Sequence, residues 1–450
     1  MGAIGGATSM TSALTGMLSV RANADEYTSA PVDDGGYKAL VAIFLAGGND
    51  CANTLIPIDD YNYPIYAKYR DTIALPKSQI LPLTPTTPLE GVIQYGIHPN
   101  LTNLSKMFHA KNMAVLQNVG TLLMPTTKDM FYKEPTKLPT RIFSHNDQMD
   151  FWQTLMNNSP SFVADGWGSL AVKNQMLKNS KPLFSAINAT GSGRYKFLAS
   201  KGFDQFVLNS GGAVAMNGYG ASLFGASNVG EIIDKIANAP YNNMLEQEMC
   251  NIFNRSRYAQ EILKPVFSNK DFDTYFTANG LSNQFKTVVK CIAANATLGI
   301  KRQVFAVVLG GFDNHSNLLN AHGNLMKQLD TSIGEFYQAL NAIQMQDRVT
   351  SFTMSEFGRT FSSNGDGSDH AWGAHHFIIG GGVKGGEIYG KTPQFGVDTI
   401  DDVGRGRLIP TTSVDQYVAT LCRWFGVNDN DMARITPNLK NFPEKYLKFL

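Results

Sequence analysis

The sequence predicts an α/β protein with a doubly wound, mainly parallel sheet and helices on both faces. Short apolar runs rich in β-branched residues are typical of buried strands, and five occur: Ala39–Leu45, Met113–Val119, Val304–Leu309, Val349–Met354 and Phe377–Ile379. Between them, apolar residues recur at three- and four-residue spacing, as from Leu325 to Ile343. Strands that are apolar throughout indicate a parallel sheet covered on both sides.

The chain is predicted to close with a helix from about Ser413 to Phe425. Ser413 and Gln416 have the spacing of a capping box, and Gly426 supplies the stop. By contrast, the segment 185–228 is rich in Gly, Ser, Ala and Asn and has weak periodicity. We expect an insertion over the sheet there, either a lid or a plain surface excursion.

Composition limits the partners. The 450 residues are 43% hydrophobic and 17% charged, so the chain can bury a large core and is not disordered. Lys plus Arg (38) nearly balances Asp plus Glu (37), and no basic run with interleaved aromatics is present, so we predict no nucleic-acid partner. The most apolar run, 39–47, is far below the roughly 20 residues that span a bilayer. The sequence leaves the oligomeric state open.

The first 24 residues predict an export signal. They carry no acidic residue and end in Ala22-Asn23-Ala24, an A-x-A-like cleavage site. The weak hydrophobic stretch and Arg21 suit twin-arginine export, although no Arg-Arg pair occurs. We therefore expect residues 25–450 to form one domain in the periplasm or outside the cell; the alternative is an N-terminus that stays attached.

Four cysteines show no C-x-x-C spacing, which excludes a zinc ribbon or a thioredoxin-like motif. Cys250 and Cys291 lie on two consecutive predicted helices. A disulfide between them and two buried free thiols are both open.

Acidic residues follow three of the predicted strands. Asp50 comes after the first strand, Asp313 after Val304–Leu309, and Glu356 after Val349–Met354. The carboxyl ends of parallel strands line one crevice, so these carboxylates should converge. Because gathered carboxylates repel unless a cation lies between them, the pattern predicts a metal site.

Histidines fall in the same places. His315 follows Asp313 by two residues, and His370 opens a histidine-rich stretch after the fourth strand. Imidazole with carboxylate suits a zinc- or manganese-like divalent metal better than calcium. His98, His109 and His322 are interpreted as core or surface residues.

Ser144 precedes a helix-like segment, where backbone N–H groups can hold an anion. It is a candidate nucleophile, and by its local sequence alone a plain N-cap. No Gly-x-Ser-x-Gly elbow is present and no Gly-x-Gly-x-x-Gly follows the first strand, so neither a lipase-type hydrolase nor a dinucleotide enzyme is indicated.

Seven ordered motifs resemble the bacterial exported family known as domain of unknown function 1501. They are Phe44-Leu45-Ala46-Gly47-Gly48-Asn49-Asp50, Asn53-Thr54, Tyr95-Gly96-Ile97-His98-Pro99, Ser144-His145 with Gln148 and Trp152, Gly311-Phe312-Asp313-Asn314-His315, Ser355-Glu356-Phe357-Gly358-Arg359-Thr360 and Asp369-His370-Ala371-Trp372-Gly373. The resemblance spans roughly residues 38–389. That family in turn resembles the alkaline phosphatase and sulfatase superfamily, which implies an alkaline-phosphatase-like fold.

The resemblance also implies roles for individual residues. Asp50 matches the first metal-binding aspartate, and Ser144 falls at the position of the nucleophile. Three further positions complete the implied ligand set: the pair Asp313 and His315, then Glu356, and the late His370. Two departures put one of two metal sites in doubt, since His315 follows Asp313 by two residues instead of four and Phe357 replaces an expected histidine.

The sequence therefore favours an exported metal-dependent hydrolase of phosphate or sulfate esters, small or polymeric. Ser144 is its expected nucleophile, with His145 beside it and Arg359 as an anion clamp. A catalytically silent exported binding or assembly protein is the alternative, and Phe357 favours it. A metal that only staples the sheet edge is a third option.

We predict that protein purified from its native cells begins at Asp25, because cleavage should follow Ala24. N-terminal sequencing checks this. Cytosolic material that still begins at Met1 would contradict the prediction.

Overall fold

A computed structural model describes residues 36–91, 93–157, 165–193, 195–203, 205–212, 219, 222 and 225–450. The predicted export signal, 1–24, lies outside these residues. The strands are β1 Lys38–Ala46, β2 Leu55–Pro57, β3 Leu81–Pro82, β4 Tyr95–Ile97, β5 Met113–Gly120, β6 Ala186–Asn188, β7 Phe206–Val207, β8 Arg302–Gly310, β9 Val349–Met354, β10 Ala374–Gly380, β11 Ile388–Tyr389 and β12 Thr412–Ser413. The helices are α1 Asn62–Arg70, α2 Thr102–His109, α3 Lys128–Lys133, α4 His145–Thr154, α5 Trp167–Asn174, α6 Val229–Ala237, α7 Met244–Ser268, α8 Gly280–Ala293, α9 Leu318–Ala342, α10 Val414–Phe425 and α11 Asp429–Ile435.

Nine of the strands form the main sheet, in the order β11-β5-β10-β9-β1-β8-β6-β7, with β12 also paired to β5. β1 lies at the centre and pairs in parallel with both β8 and β9. β10 is antiparallel to its two neighbours, β5 and β9. The prediction of a doubly wound, mainly parallel α/β sheet is thereby confirmed. A small antiparallel sheet, β2-β4-β3, lies beside it.

Both faces of the sheet are covered, and β1 shows how. Its alternate residues Val41 and Ile43 belong to one core cluster, which α2, α8 and α9 also line. Leu40 and Ala42 belong to a second cluster, lined by α5, α10 and α11. Because successive side chains of a strand point to opposite faces, a strand buried on both sides must be apolar throughout, which is the pattern of 39–45.

The predicted elements are present with small shifts of their ends. The five predicted strands correspond to β1, β5, β8, β9 and β10. The last predicted helix is α10, where Ser413 and Gln416 form the capping box and Gly426 ends the helix in the left-handed conformation.

The segment 185–228, predicted as an insertion or lid, contributes to the sheet. Within it, β6 (Ala186–Asn188) pairs in parallel with β8, and β7 (Phe206–Val207) pairs in parallel with β6. These short strands extend the edge of the main sheet. Much of 213–224 lies outside the described residues, so a lid there stays a prediction.

Of the two alternatives left open for Cys250 and Cys291, the disulfide is contradicted, because all four cysteines are free thiols. Cys291 is fully buried on α8 in the first core cluster. Cys250 on α7 instead faces α6, where its thiol lies 3.9 Å from the carbonyl of Ile236. The two helices present their cysteines to different surroundings.

Among the described residues, no helix combines the length and the apolar character that are needed to cross a membrane.

Asp415 predicts a pH dependence of stability. Its carboxylate is completely buried and accepts hydrogen bonds from Asn438. Burial raises the pKa of Asp415 to about 7, from about 3.9 in an unfolded chain. A carboxyl group whose pKa is raised by folding stabilises the folded state fully below about pH 4. This stabilisation is lost as the pH rises through the folded-state pKa, which lowers the free energy of unfolding by up to about 4 kcal/mol.

We expect Asp415→Asn to flatten the fall in unfolding free energy between pH 5 and pH 8. Denaturant titrations at the two pH values measure it. Asp60→Asn, at a fully exposed carboxylate, is the matched control. If both variants follow the wild-type curve, Asp415 is not the group that titrates.

Candidate metal centre

The carboxyl ends of three neighbouring strands form the base of the site. Ala46 at the end of β1 is in register with Gly310 on β8, and Phe44 with Met354 on β9. The chain then turns through Gly47, whose φ is +121° and whose missing Cβ would lie 2.4 Å from the backbone nitrogen of Asp313. Only glycine fits this close approach. Asp313 and Glu356 therefore follow the two strands that flank β1, β8 and β9, at the same edge of the sheet.

Three side chains converge above this edge. The Nε2 atoms of His145 and His370 are 3.1 Å apart, and they lie 3.6 and 3.2 Å from Oδ1 of Asp313. These three atoms form a triangle. His315 lies beside it, with its Nε2 3.1 Å from both Asp313 Oδ1 and His370 Nε2. We call His145, Asp313, His315 and His370 the histidine cluster. His145 comes from the start of α4 and is brought in by the tertiary structure.

Each imidazole is fixed through its other nitrogen. Nδ1 of His145 lies 2.7 Å from Glu356 Oε1, and Nδ1 of His370 lies 2.9 Å from the carbonyl oxygen of Phe143. Nδ1 of His315 lies 3.3 Å from Asp369 Oδ1. An oxygen acceptor at Nδ1 favours the proton there. The three Nε2 atoms then face one another and Asp313 as lone pairs.

These donors fit a divalent metal. In a tetrahedral site with metal–nitrogen bonds of about 2.0–2.1 Å, neighbouring donor atoms are about 3.3 Å apart. The separations within the triangle of His145, Asp313 and His370 run from 3.1 to 3.6 Å. Histidine ligands whose second nitrogen is held by a carboxylate or carbonyl are typical of metal sites. Imidazole with one carboxylate suits zinc, manganese or iron.

Local contacts shift the protonation of the cluster in opposite directions. The hydrogen bond to Glu356 raises the pKa of His145, whereas burial lowers the pKa of His370. Partial burial acts to raise the pKa of Asp313, but the hydrogen bond and charge of Arg359 outweigh it and lower that pKa. The carboxylate is thus ionised at neutral pH, as a metal ligand must be.

Asp50, predicted as a ligand, has a different partner. It is 1% exposed and forms a buried ion pair with Arg70, which also donates to the carbonyl of Thr360 at 3.0 Å. Among the described residues, His145, Asp313 and His370 have donor atoms close enough to share a metal ion, and Asp50 is not one of this group. The sequence did not reveal this pairing, because Arg70 lies at the end of a helix 20 residues away.

Glu356 joins the site through His145. Its Oε1 accepts hydrogen bonds from His145 Nδ1 and from the backbone N–H of Gly47 at 2.9 Å. The side chain is almost completely buried. Glu356 therefore fixes the orientation of a donor imidazole, whereas the family resemblance implied that it binds the metal itself.

Of the three predicted catalytic residues, His145 belongs to the histidine cluster, and Ser144 and Arg359 make other contacts. Ser144 stands at the N-cap of α4, but its hydroxyl donates to Asp147 Oδ2 at 2.6 Å instead of capping the helix. The guanidinium of Arg359 is buried and donates to Asp313 Oδ1 at 2.6 Å and to the Gly47 carbonyl at 3.1 Å. It donates to Ser368 as well. Because these hydrogen bonds occupy its guanidinium, Arg359 is poorly placed to bind an external anion.

Phe357 forms an apolar wall of the histidine cluster. Its ring is fully buried, and its centroid lies 4.8 Å from that of His145 and 4.7 Å from that of His370. A phenyl ring supplies no metal ligand at this position. It excludes water from one side of the imidazoles, which strengthens electrostatic interactions there.

We expect Glu356→Gln to weaken metal binding about 10- to 100-fold, the usual cost of losing a carboxylate behind a metal-binding histidine. The glutamine oxygen keeps the Gly47 contact, so folding should survive. Metal affinity is measured by competition with a chelator, with Glu444→Gln, at an exposed glutamate, as control. Equal affinity in both variants would show that Glu356 does not act on a metal ligand.

Residues 241–438 match the family described as "Protein of unknown function (DUF1501)", which confirms the family resemblance over those residues. No curated protein sequence matches.

Similar solved structures include the PsFucS1 sulfatase from Pseudoalteromonas sp. (11% identity, TM-score 0.37, covering 88% of this chain and 69% of that one). The periplasmic domain of EcEptC from Escherichia coli, solved in complex with Zn, has 11% identity and a TM-score of 0.36, covering 93% and 94%. The lipoteichoic acid synthase LtaP from Listeria monocytogenes has 9% identity and a TM-score of 0.36, covering 91% and 78%. At these scores the likeness says nothing about the activity of this chain.

Proposed function

We propose that the protein is an exported, metal-dependent hydrolase of phosphate or sulfate esters that uses Ser144 as its nucleophile. The histidine cluster is the observation that carries this proposal. Three imidazoles with their Nδ1 atoms held by oxygens lie around one carboxylate at the carboxyl edge of a parallel sheet, where ligands bind in open α/β folds. The three donors that lie within 4.8 Å of one another, His145, Asp313 and His370, would leave one position of a tetrahedral metal to the substrate, as in catalytic sites.

The donor residues have distinct tasks in this proposal. His145, Asp313 and His370 would hold the metal, with His315 as a further donor beside them. A divalent metal bound there would polarise the ester oxygen and lower the pKa of an attacking hydroxyl. Arg359, bonded to Asp313, fixes the carboxylate and keeps it ionised. Phe357 keeps one side of the centre dry.

Two features of the α4 terminus support Ser144 as the nucleophile. The 2.6 Å hydrogen bond to Asp147 gives the hydroxyl proton an acceptor, as a nucleophile requires. The Ser144 side chain makes no cap hydrogen bond to the first turn of the helix, so it leaves the N–H groups there to an anion. As the bond from Ser144 Oγ to phosphorus or sulfur forms, Asp147 takes the proton and the ester oxygen leaves. Water then releases the acid from Ser144.

A silent binding protein on the same fold is the rival function. It is favoured by the commitment of Arg359 to Asp313 and by the phenyl ring of Phe357 where a further ligand was expected. In that function the histidine cluster would hold a metal without turnover. Metal content and ester hydrolysis measured on the same samples separate the two functions.

We expect Ser144→Ala to lower kcat on an aryl phosphate or aryl sulfate by at least about 1,000-fold, because a nucleophile has no substitute in its step. Metal content and unfolding temperature should not change. Asp313→Ala should lose both metal and turnover, since it removes a ligand. Ser78→Ala, at an exposed serine remote from α4 in sequence, is the control.

The two phenotypes must differ. If Ser144→Ala retains full activity, Ser144 is only the N-cap of α4, and direct attack by water is the better mechanism. If metal-loaded wild type cleaves none of a broad panel of phosphate and sulfate esters, the silent binding protein is the better description.

A further inference from the structure

The substrate of the proposed hydrolase carries a tetrahedral oxyanion, so the site needs a cation that can contact it. Four arginines contact the histidine cluster or the segments that carry it. Arg359 is bonded to Asp313, and Arg405 donates to Asp369 Oδ2 at 2.6 Å. Arg141 is largely exposed and lies 3.7 Å from Asp147. These three are each matched by a carboxylate.

Arg407 is different. Its side chain is half-buried, and it forms no ion pair with any carboxylate in the part of the chain that the structure describes. Two contacts fix it: Nε donates to the carbonyl oxygen of His370 at 3.0 Å, and the guanidinium lies over the ring of Phe143, 4.8 Å from its centroid. These contacts use the Nε edge and one face of the group. The two terminal nitrogens have no hydrogen-bond partner among the described residues.

Both anchors of Arg407 belong to the site. Phe143 precedes Ser144, and its carbonyl oxygen accepts the Nδ1 proton of His370. His370 in turn offers its Nε2 to the histidine cluster. Arg407 is thus fastened to the two segments that carry the proposed nucleophile and the late histidine donor, and its position is coupled to theirs.

We propose that Arg407 binds the tetrahedral oxyanion, phosphate or sulfate, of the ligand at the histidine cluster. A guanidinium that is held in place while its paired terminal N–H groups stay free is suited to bidentate recognition of such an anion. The fixed side chain loses little rotamer freedom on binding. This assigns to Arg407 the role that the sequence suggested for Arg359, and it rests on the proposed function.

The test is direct binding of inorganic phosphate and inorganic sulfate, measured by calorimetry on metal-loaded protein without any turnover. Variants Arg407→Gln and Arg407→Lys are compared with wild type. Arg423→Gln is the matched control, because the guanidinium of Arg423 also lies over a ring, 4.3 Å from the centroid of Tyr446. Metal content and unfolding temperature are recorded for every sample.

We expect Arg407→Gln to weaken binding of the preferred anion about 10- to 100-fold, the value of charge-assisted hydrogen bonds, with metal content unchanged. Arg407→Lys should fall between it and wild type, and Arg423→Gln should match wild type. The anion that binds more tightly separates a phosphate from a sulfate ligand.

The inference is overturned if Arg407→Gln binds both anions as wild type does, or if it loses metal in parallel with the anion, which would make Arg407 a support of His370 alone. It is also overturned if wild type binds neither anion. If wild type binds an anion through Arg407 but cleaves no ester, the proposed hydrolysis fails and the anion site stands.

Discussion

The parallel pairing of β1 with both β8 and β9 is the constraint on which the site depends. Because the three strands run in the same direction and in fixed register, their carboxyl ends meet at one edge, and the segments that follow them carry Asp313 and Glu356. Gly47 allows the first of these turns to touch the backbone of Asp313. The apolar residues that make β1 a central strand thus also determine where the polar chemistry of the molecule is concentrated.

Oxygen acceptors at Nδ1 orient the three imidazoles at that edge. Glu356, Asp369 and the carbonyl of Phe143 each hold one Nδ1, so the donor atoms are oriented before any ligand arrives. A pre-oriented donor set loses little conformational freedom on binding, which is why such supporting contacts matter for affinity.

Arginine–aspartate pairs have two different uses in this fold. Arg70 neutralises Asp50 in the interior, where both side chains are almost fully buried, and removing either partner would strand a charge at a cost of about 3–5 kcal/mol. Arg359 is equally buried, but its partner Asp313 is about half exposed and reaches the histidine cluster. The first pair stabilises the turn after β1, and the second holds a carboxylate at the site. Arg407, which has no such partner among the described residues, remains available to an external anion.

The sequence by itself determined the strands and the mainly parallel sheet, and it predicted that Asp313, His315 and His370 lie at one edge of that sheet. Local apolar patterns and strand order suffice for these, since parallel strands must end together. Only the tertiary structure decided which side chains point at one another: His145 enters from the start of α4, Asp50 turns to Arg70, and Cys250 and Cys291 face apart. The reason is that these side-chain contacts depend on packing between elements far apart in sequence, and the spacing of residues along the chain does not reveal how those elements pack.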